Sequence, residues 1–253
     1  MRSQILSVPN SNPNITSKMT ETAISCAAPD WIDIGAQLDS EGYALLPGAF
    51  DRDETRELAR QISEDGVGRR VSLDSLALGR GEILRFGAQL PEPLASWRAA
   101  LYRDLAPIAN RWNEILGVEY RYPLELNAFL RRNSDDGQSQ PLSHLNRLGA
   151  GDHLALHQSN DGEHVFPMQV VVLLSEAGKD FTGGEFVLTE QRPRMQSRPM
   201  VVPLMLGDAA IISTAQRPFK GTKGYYRVNL KHAISRVRGG ERLGVELSFH
   251  NAH

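Results

Sequence analysis

From Gly151 onward the chain is a succession of short runs of strand formers cut apart by turn chemistry, and this constrains the fold more than any other feature. The runs cover residues 170–174, 185–188, 200–205, 209–213, 226–233 and 242–249, with NDG, TGG, LGD, KGTKG and RGGE between them. Gly, Asn and Asp supply the backbone conformations that tight turns need, and β-branched residues fit a pleated, half-buried surface. Six or more strands at this spacing predict a β-barrel or sandwich. In the last run Leu243, Val245, Leu247 and Phe249 alternate with Arg242, Gly244, Glu246 and Ser248. One face is therefore expected to pack on helices while the other lines a polar cavity.

The first half reads differently. Residues 1–30 are rich in Ser, Thr, Asn and Pro without an apolar period, as in a loosely ordered leader. Apolar spacing is helical over residues 31–38 and 51–63, where Asp51-Arg52-Asp53-Glu54 supplies an N-cap and first-turn acids. EGYALLPGAF between them reads as a short strand closed by Pro47 and Gly48. Residues 66–93 carry many glycines and prolines and predict a loop or lid with short strands. Then Leu94, Trp97, Leu101, Leu105, Ile108, Trp112 and Ile115 recur at helical spacing, a stripe best read as core, with Pro107 predicted to kink or break the helix. The expected organisation is one domain over residues 31–253, helical to about 150 and a barrel from about 151 to 250.

Composition narrows the function. A formal net charge of -2 gives no general affinity for polyanions, so nucleic acid is not implied. Cys26 is the only cysteine, which excludes an intramolecular disulfide or a cysteine zinc cluster and suits a reducing cytoplasm. No stretch approaches the roughly 18 consecutive apolar residues of a membrane helix.

Two of the seven histidines stand in suggestive surroundings. His157 and Ser159 open the segment HQSNDGEHVFPMQVVVLLSE, and His232 ends one predicted strand ten residues before Arg242 starts the next. A hairpin of that separation can aim an imidazole and a guanidinium into one barrel mouth, the first to bind a metal and the second to take a carboxylate bidentately. With TGGEF between these elements and GDAAII before the last hairpin, the chain resembles the iron(II)/2-oxoglutarate dioxygenases of the double-stranded β-helix, or cupin-like jelly-roll, fold. FPMQVVVLLSEAGKDFTGGEFVLTEQRPRMQSR and YRVNLKHAISRV are similar to a group of small bacterial and fungal 2-oxoglutarate oxygenases. The resemblance implies iron(II), 2-oxoglutarate and O2 as cofactors and co-substrates. It also implies His157 and His232 as metal ligands and Arg242 as the group binding the C5 carboxylate of 2-oxoglutarate.

Ser159 stands where that family carries the aspartate of a His-x-Asp pair. In a strand, residues 157 and 159 would project from one face about 6 to 7 Å apart, close enough to reach one ion. Three readings follow. The vacant position can admit chloride, as in related iron halogenases with a small residue there, which makes chlorination of a small-molecule C–H bond the leading expectation. Alternatively, Asp161 folds back through its NDG turn, or water fills the site, and the enzyme hydroxylates. In the third reading the site is degenerate and the protein only binds. Further departures from the family, His153 and Leu154 for a tyrosine and an asparagine, and Ala215 and Gln216 for a pair of histidines, are expected near the co-substrate or substrate. His153 shares strand parity with His157 and reads as a pocket wall or a donor behind the ligands. His164, His250 and His253 read as surface or loop residues, Gly183 and Gly184 as a turn, and Arg192, Arg194 and Arg198 as a solvated basic loop.

Overall fold

The computed structural model describes residues 29–64 and 68–253, so the leader and Cys26 lie outside it except for Pro29 and Asp30. The chain opens with helix α1 (Trp31–Glu41), whose first amides are capped by the Asp30 carboxylate and which ends at Gly42 in the left-handed conformation. β1 (Tyr43–Leu46) follows, then α2 (Arg52–Glu64), where Asp51 accepts from the Glu54 amide as the sequence predicts. The glycine-rich segment forms β2 (Arg69–Ser72), a 3-10 turn (Asp74–Leu76), β3 (Gly79–Arg80) and β4 (Glu82–Arg85). Helix α3 (Leu94–Ile115) continues through Pro107 without a break. Breaking it would expose Leu101, Leu105, Ile108 and Trp112, all buried. At about 1.5–3 kcal/mol per buried side chain, that loss exceeds the roughly 3 kcal/mol a mid-helix proline costs.

Helix α4 (Leu126–Asp135), β5 (Gln140–Pro141) and β6 (His144–Gly149) precede β7 (His153–His157). The remaining strands are β8 (Met168–Leu173), β9 (Phe181–Gly183), β10 (Phe186–Gln191), β11 (Arg198–Val202), β12 (Ala209–Ser213), β13 (Gln216–Gly221), β14 (Gly224–Ile234), β15 (Val237–Ser248) and β16 (Asn251–Ala252). Two sheets carry the site. The larger is ordered β1-β12-β8-β15-β6-β4-β2, with β9 also on β15; the smaller is β11-β10-β14-β7-β3, with β13 also on β14. Four strands of the larger sheet come from before Gly151, so helices and barrel interleave along the chain rather than follow one another.

The alternation along β8 and β15 shows how the layers form. Val170 and Val172 join Val245, Leu247 and Phe249 in a core shared with α1, α2, α3 and α4, whereas Val171 and Leu173 face the second sheet with Phe186, Leu188 and Ile234. A strand buried on both faces reads as an unbroken apolar run, which explains VVVLL. The helices are tied to this frame by polar anchors: Arg111 and the Trp112 indole both donate to the Asp39 carboxylate, and buried Arg217 donates to the Asp39 and Ser40 carbonyls and to Glu190. With the sheets packed this way, Arg242, Gly244, Glu246 and Ser248 occupy the inner face of β15, as their alternation predicts.

Candidate active site

β7 and β14 pair so that His157 lies directly across from His232. Between the His232–His157 and Ile234–Leu154 pairs, β7 has one residue more than β14, a β-bulge. The bulge changes the parity of the strand. Leu154 is buried inside, His153 and Leu156 are exposed, and His157 turns inward. His153 is therefore not a wall of the pocket: the shared parity expected from an unbroken strand is lost at the extra residue.

The two imidazole centroids are 4.1 Å apart. A hydrogen bond from His157 Nδ1–H to the Ala155 carbonyl at 2.9 Å fixes the tautomer and leaves Nε2 free toward the interior. His232 is fully buried and lies nearly parallel to the Phe186 ring. The third member of the cluster was missed in the sequence. Glu246 Oε2 is 3.2 Å from His232 Nε2, and one ligand atom each from His157, His232 and Glu246 lie within 4.8 Å of one another. Asn146 donates to Glu246 Oε1 at 2.8 Å, and Gln169 approaches both Glu246 and His232. Two signals pointed to this group: a lone glutamine inside the apolar MQVVVL strand, and a carboxylate four residues from Arg242 on the same face of β15.

Burial pushes the His157 pKa down to about 4, and the neighbouring His232 pushes it the same way. For Glu246 burial acts upward, but His232, through its charge and hydrogen bond, and then His144 and His157 outweigh it, holding the carboxyl below the usual range. A neutral imidazole facing an ionised carboxylate is the donor chemistry an Fe(II) site of two histidines and one carboxylate requires. The residues present thus fit an iron ion.

A cavity of about 310 Å³ adjoins this cluster, lined by His157, Ser159, Asp161, Gln169 and Glu246 on one side. Leu73, Leu76, Leu78, Ile83 and Arg85 form its other wall, so residues 73–85 border the site. β7 ends at His157, so Ser159 lies beyond the strand. Asp161 lines the cavity but is not among the three converging ligand groups.

Arg242 is 3% exposed, and its Nε donates to the Gly184 carbonyl at 2.9 Å. Gly184 needs its φ of 67°, and a Cβ there would come within 3.0 Å of Arg242 Cδ. A Cβ on Gly244 would lie 2.9 Å from Arg242 Nη1; with glycine there the guanidinium runs along the inner face of β15 toward Glu246. Burial lowers the Arg242 pKa to about 10, with Glu246 acting upward, so the group stays charged at neutral pH. Among the described residues no acceptor is hydrogen-bonded to its terminal nitrogens. It lines a neighbouring cavity of about 310 Å³ with Phe181, Gly184 and Phe186 rather than the cavity holding Ser159.

Other expectations change. His250 lies in the bend between β15 and β16, as a loop residue, but is fully buried beside Ser248 rather than at the surface, because Phe249 on the same turn is drawn into the helix-side core. Ala215 and Gln216 line a separate cavity with Trp112 and Asn160, away from the imidazoles. Arg192 and Arg198 are not free: they pair with Glu190 and Glu41, and Arg192 stacks on Phe219. Among the described residues no helix is long and apolar enough to cross a membrane.

A family described as oxygenases catalysing oxidative methylation of damaged DNA matches residues 81–252. The chain is 38% identical over 188 residues to an uncharacterized protein of Mycobacterium tuberculosis, covering 73% of this chain and 81% of that one. Among solved structures it is similar to a Pseudomonas putida prolyl-4-hydroxylase, at TM-score 0.54 and 14% identity over 88% of this chain and 99% of that one. A Trichoplax adhaerens prolyl hydroxylase follows at TM-score 0.52 and 15% identity over 87% and 88%. These likenesses show the jelly-roll fold, and the match over residues 81–252 shows that the chain belongs to this oxygenase family.

Proposed function

We propose that this protein couples oxidative decarboxylation of 2-oxoglutarate to oxidation of a C–H bond in a small molecule bound beneath residues 73–85. The observation that carries the reading is the convergence of His157, His232 and Glu246 within 4.8 Å at the wall of a cavity. Iron(II), when bound there, supplies the activation of O2 that no side chain can provide. His157 and His232 hold it through their inner nitrogens. Arg242 offers its two terminal nitrogens as a planar fork to the distal carboxylate of 2-oxoglutarate. Leu73, Leu76 and Leu78 keep bulk water from the reacting carbon. Arg85 is the only Lys or Arg lining this cavity, and it forms no ion pair with a described residue, so a substrate with an apolar part against the leucines and one anionic group suits the space.

Hydroxylation is the outcome that a carboxylate at the imidazoles favours. Chlorination is a second reading, supported by Ser159, which leaves position 159 without the family's carboxylate. The family description supports another substrate, a nucleobase in damaged DNA. Against it, Arg70, Arg80 and Arg147 around the cavity are paired with Glu82, Asp152 and Glu241, so Arg69 and Arg85 are the guanidinium groups of this segment left for a phosphate. Anaerobic reconstitution with iron(II) and 2-oxoglutarate should give a visible charge-transfer band, followed by succinate on admission of air. Succinate yield with amphipathic acids, with and without chloride, and with methylated oligonucleotides separates the substrate readings. Absence of both band and succinate would overturn the reading itself.

A further inference from the structure

We infer that Glu246 is the anionic ligand of the metal, supplied from β15 in place of the carboxylate missing at Ser159. The inference rests on the oxygenase reading above and goes beyond it, because the ligand comes from another strand and from the other sheet. His157 and His232 sit on the smaller sheet, whereas Glu246 sits on the larger one, facing them across the interior.

Three observations bear on the role. First, the Glu246 carboxylate is aimed at the inner nitrogen of His232, at 3.2 Å, rather than at an arginine or lysine. No described guanidinium or ammonium group lies within ion-pair distance of this buried acid; its neighbours are the two imidazoles, His144, Asn146 and Gln169. A buried carboxylate with no guanidinium or ammonium partner, facing only imidazoles, is costly, and a divalent ion between it and two imidazoles offsets that cost. Second, Asn146 donates to Oε1 and orients the head, leaving Oε2 as the atom nearest His232. Hydrogen bonds of this kind fix liganding carboxylates. Third, Ser159 lines the same cavity but carries no charge to offer a cation, while Asp161 is absent from the converging set. The slot that a halide would fill beside the two imidazoles is therefore the one Glu246 addresses, and oxygen transfer follows rather than halogen transfer.

Anaerobic titration of the full-length metal-free protein with Co(II) or Mn(II) in the presence of 2-oxoglutarate tests this without turnover. Glu246→Gln keeps the shape and the Asn146 neighbour but removes the charge; it is expected to weaken Co(II) binding by about 100-fold or more, since the anionic member of the ligand set is lost. Ser159→Ala should leave Co(II) affinity unchanged, and the double variant Glu246→Gln/Ser159→Asp should recover most of it. Added chloride should leave the Co(II) spectrum of the parent unaltered and change that of Glu246→Gln. If Glu246→Gln fails to fold, Glu246→Asp, one methylene shorter, is expected to weaken Co(II) by about tenfold. Parent-like Co(II) affinity in the Glu246 variants, a loss in Ser159→Ala, or no recovery in the double variant would overturn the ligand assignment while leaving the oxygenase reading intact. A parent that binds neither metal nor 2-oxoglutarate would overturn the oxygenase reading first.

Discussion

Replacing Arg242 by Met tests the least conventional part of the site, a charged group buried to 3% exposure with a single hydrogen bond. Its Nε is committed to the Gly184 carbonyl, so what the substitution removes from the co-substrate is the fork of two terminal nitrogens. Each charge-assisted hydrogen bond from such a fork contributes about 1.5–3 kcal/mol, and truncating one partner of a buried charge pair costs about 2–5 kcal/mol in all. A loss near 3–4 kcal/mol follows, or a rise of roughly two to three orders of magnitude in the Kd for 2-oxoglutarate. Calorimetric titration of 2-oxoglutarate into Mn(II)-loaded protein reads it directly, and Mn(II) affinity should change little. Thermal stability of the metal-free protein separates this from a structural role. A buried guanidinium whose pKa burial lowers to about 10 carries an uncompensated desolvation cost, so Arg242→Met should melt at the same temperature as the parent or above it. Unchanged 2-oxoglutarate affinity, or a marked fall in melting temperature, would refute the argument.

Gly184→Ala should act on the same function at a distance: its φ of 67° and the 3.0 Å approach to Arg242 Cδ are expected to cost about 1–3 kcal/mol of stability and to raise KM for 2-oxoglutarate more than KM for the oxidised substrate. Glu190→Ala strips the buried partner of Arg217, whose side chain is 0% exposed, and should destabilise the fold by about 3–5 kcal/mol in urea denaturation without altering metal affinity. His250 provides a pH signature. Burial, with Arg98 reinforcing it and the Ser159 backbone opposing it, lowers its pKa to about 4, so the unfolded chain binds the proton first as the solution is acidified. Stability from this group is complete above about pH 6.5 and declines as pH falls toward 4, by about 3 kcal/mol in total. In the metal-free protein His157 behaves likewise, so His250→Gln should roughly halve the slope of unfolding free energy against pH between 5 and 6.5, measured by denaturant midpoints.

Much of this architecture is legible in the sequence because its causes are local. The turns at NDG, TGG and RGGE separate the strands, and the alternation in residues 242–249 assigns one face to the helices and the other to the interior, as Leu247 and Glu246 bear out. The helix over 94–115 is legible from its apolar stripe; its continuity through Pro107 is not, since that depends on what the stripe packs against. β6 lacks a strong periodic signal of its own and exists because β4 and β15 flank it. At the site, His157, His232 and Arg242 are visible as residues but not their relation. A bulge in β7 decides which histidine turns inward, and parity counted along an ideal strand assigns that face to His153 as well. Glu246 is hidden for a different reason: a ligand supplied across two sheets leaves no short spacing to find.

That cross-sheet origin changes what a metal does for the protein. A carboxylate at position 159 would belong, like His157 and His232, to the side of the smaller sheet, and the ion would then hold only that sheet's elements. With Glu246 on β15 the ion would join β7 and β14 of the smaller sheet to the strand at the centre of the larger one, where β15 also pairs with β8 and β6. Ligand binding to the native state stabilises it by mass action, and here that stabilisation would act on the inter-sheet core of Val171, Leu173, Phe186 and Ile234 rather than on one sheet alone. The same strand carries Arg242, whose side chain runs over Gly244 toward Glu246, so a shift of β15 would move the co-substrate's counter-charge and the metal's anion together. Metal and 2-oxoglutarate should therefore bind with positive coupling, each ordering the strand the other needs, and moving the carboxylate back to position 159 should weaken that coupling even where it restores metal affinity.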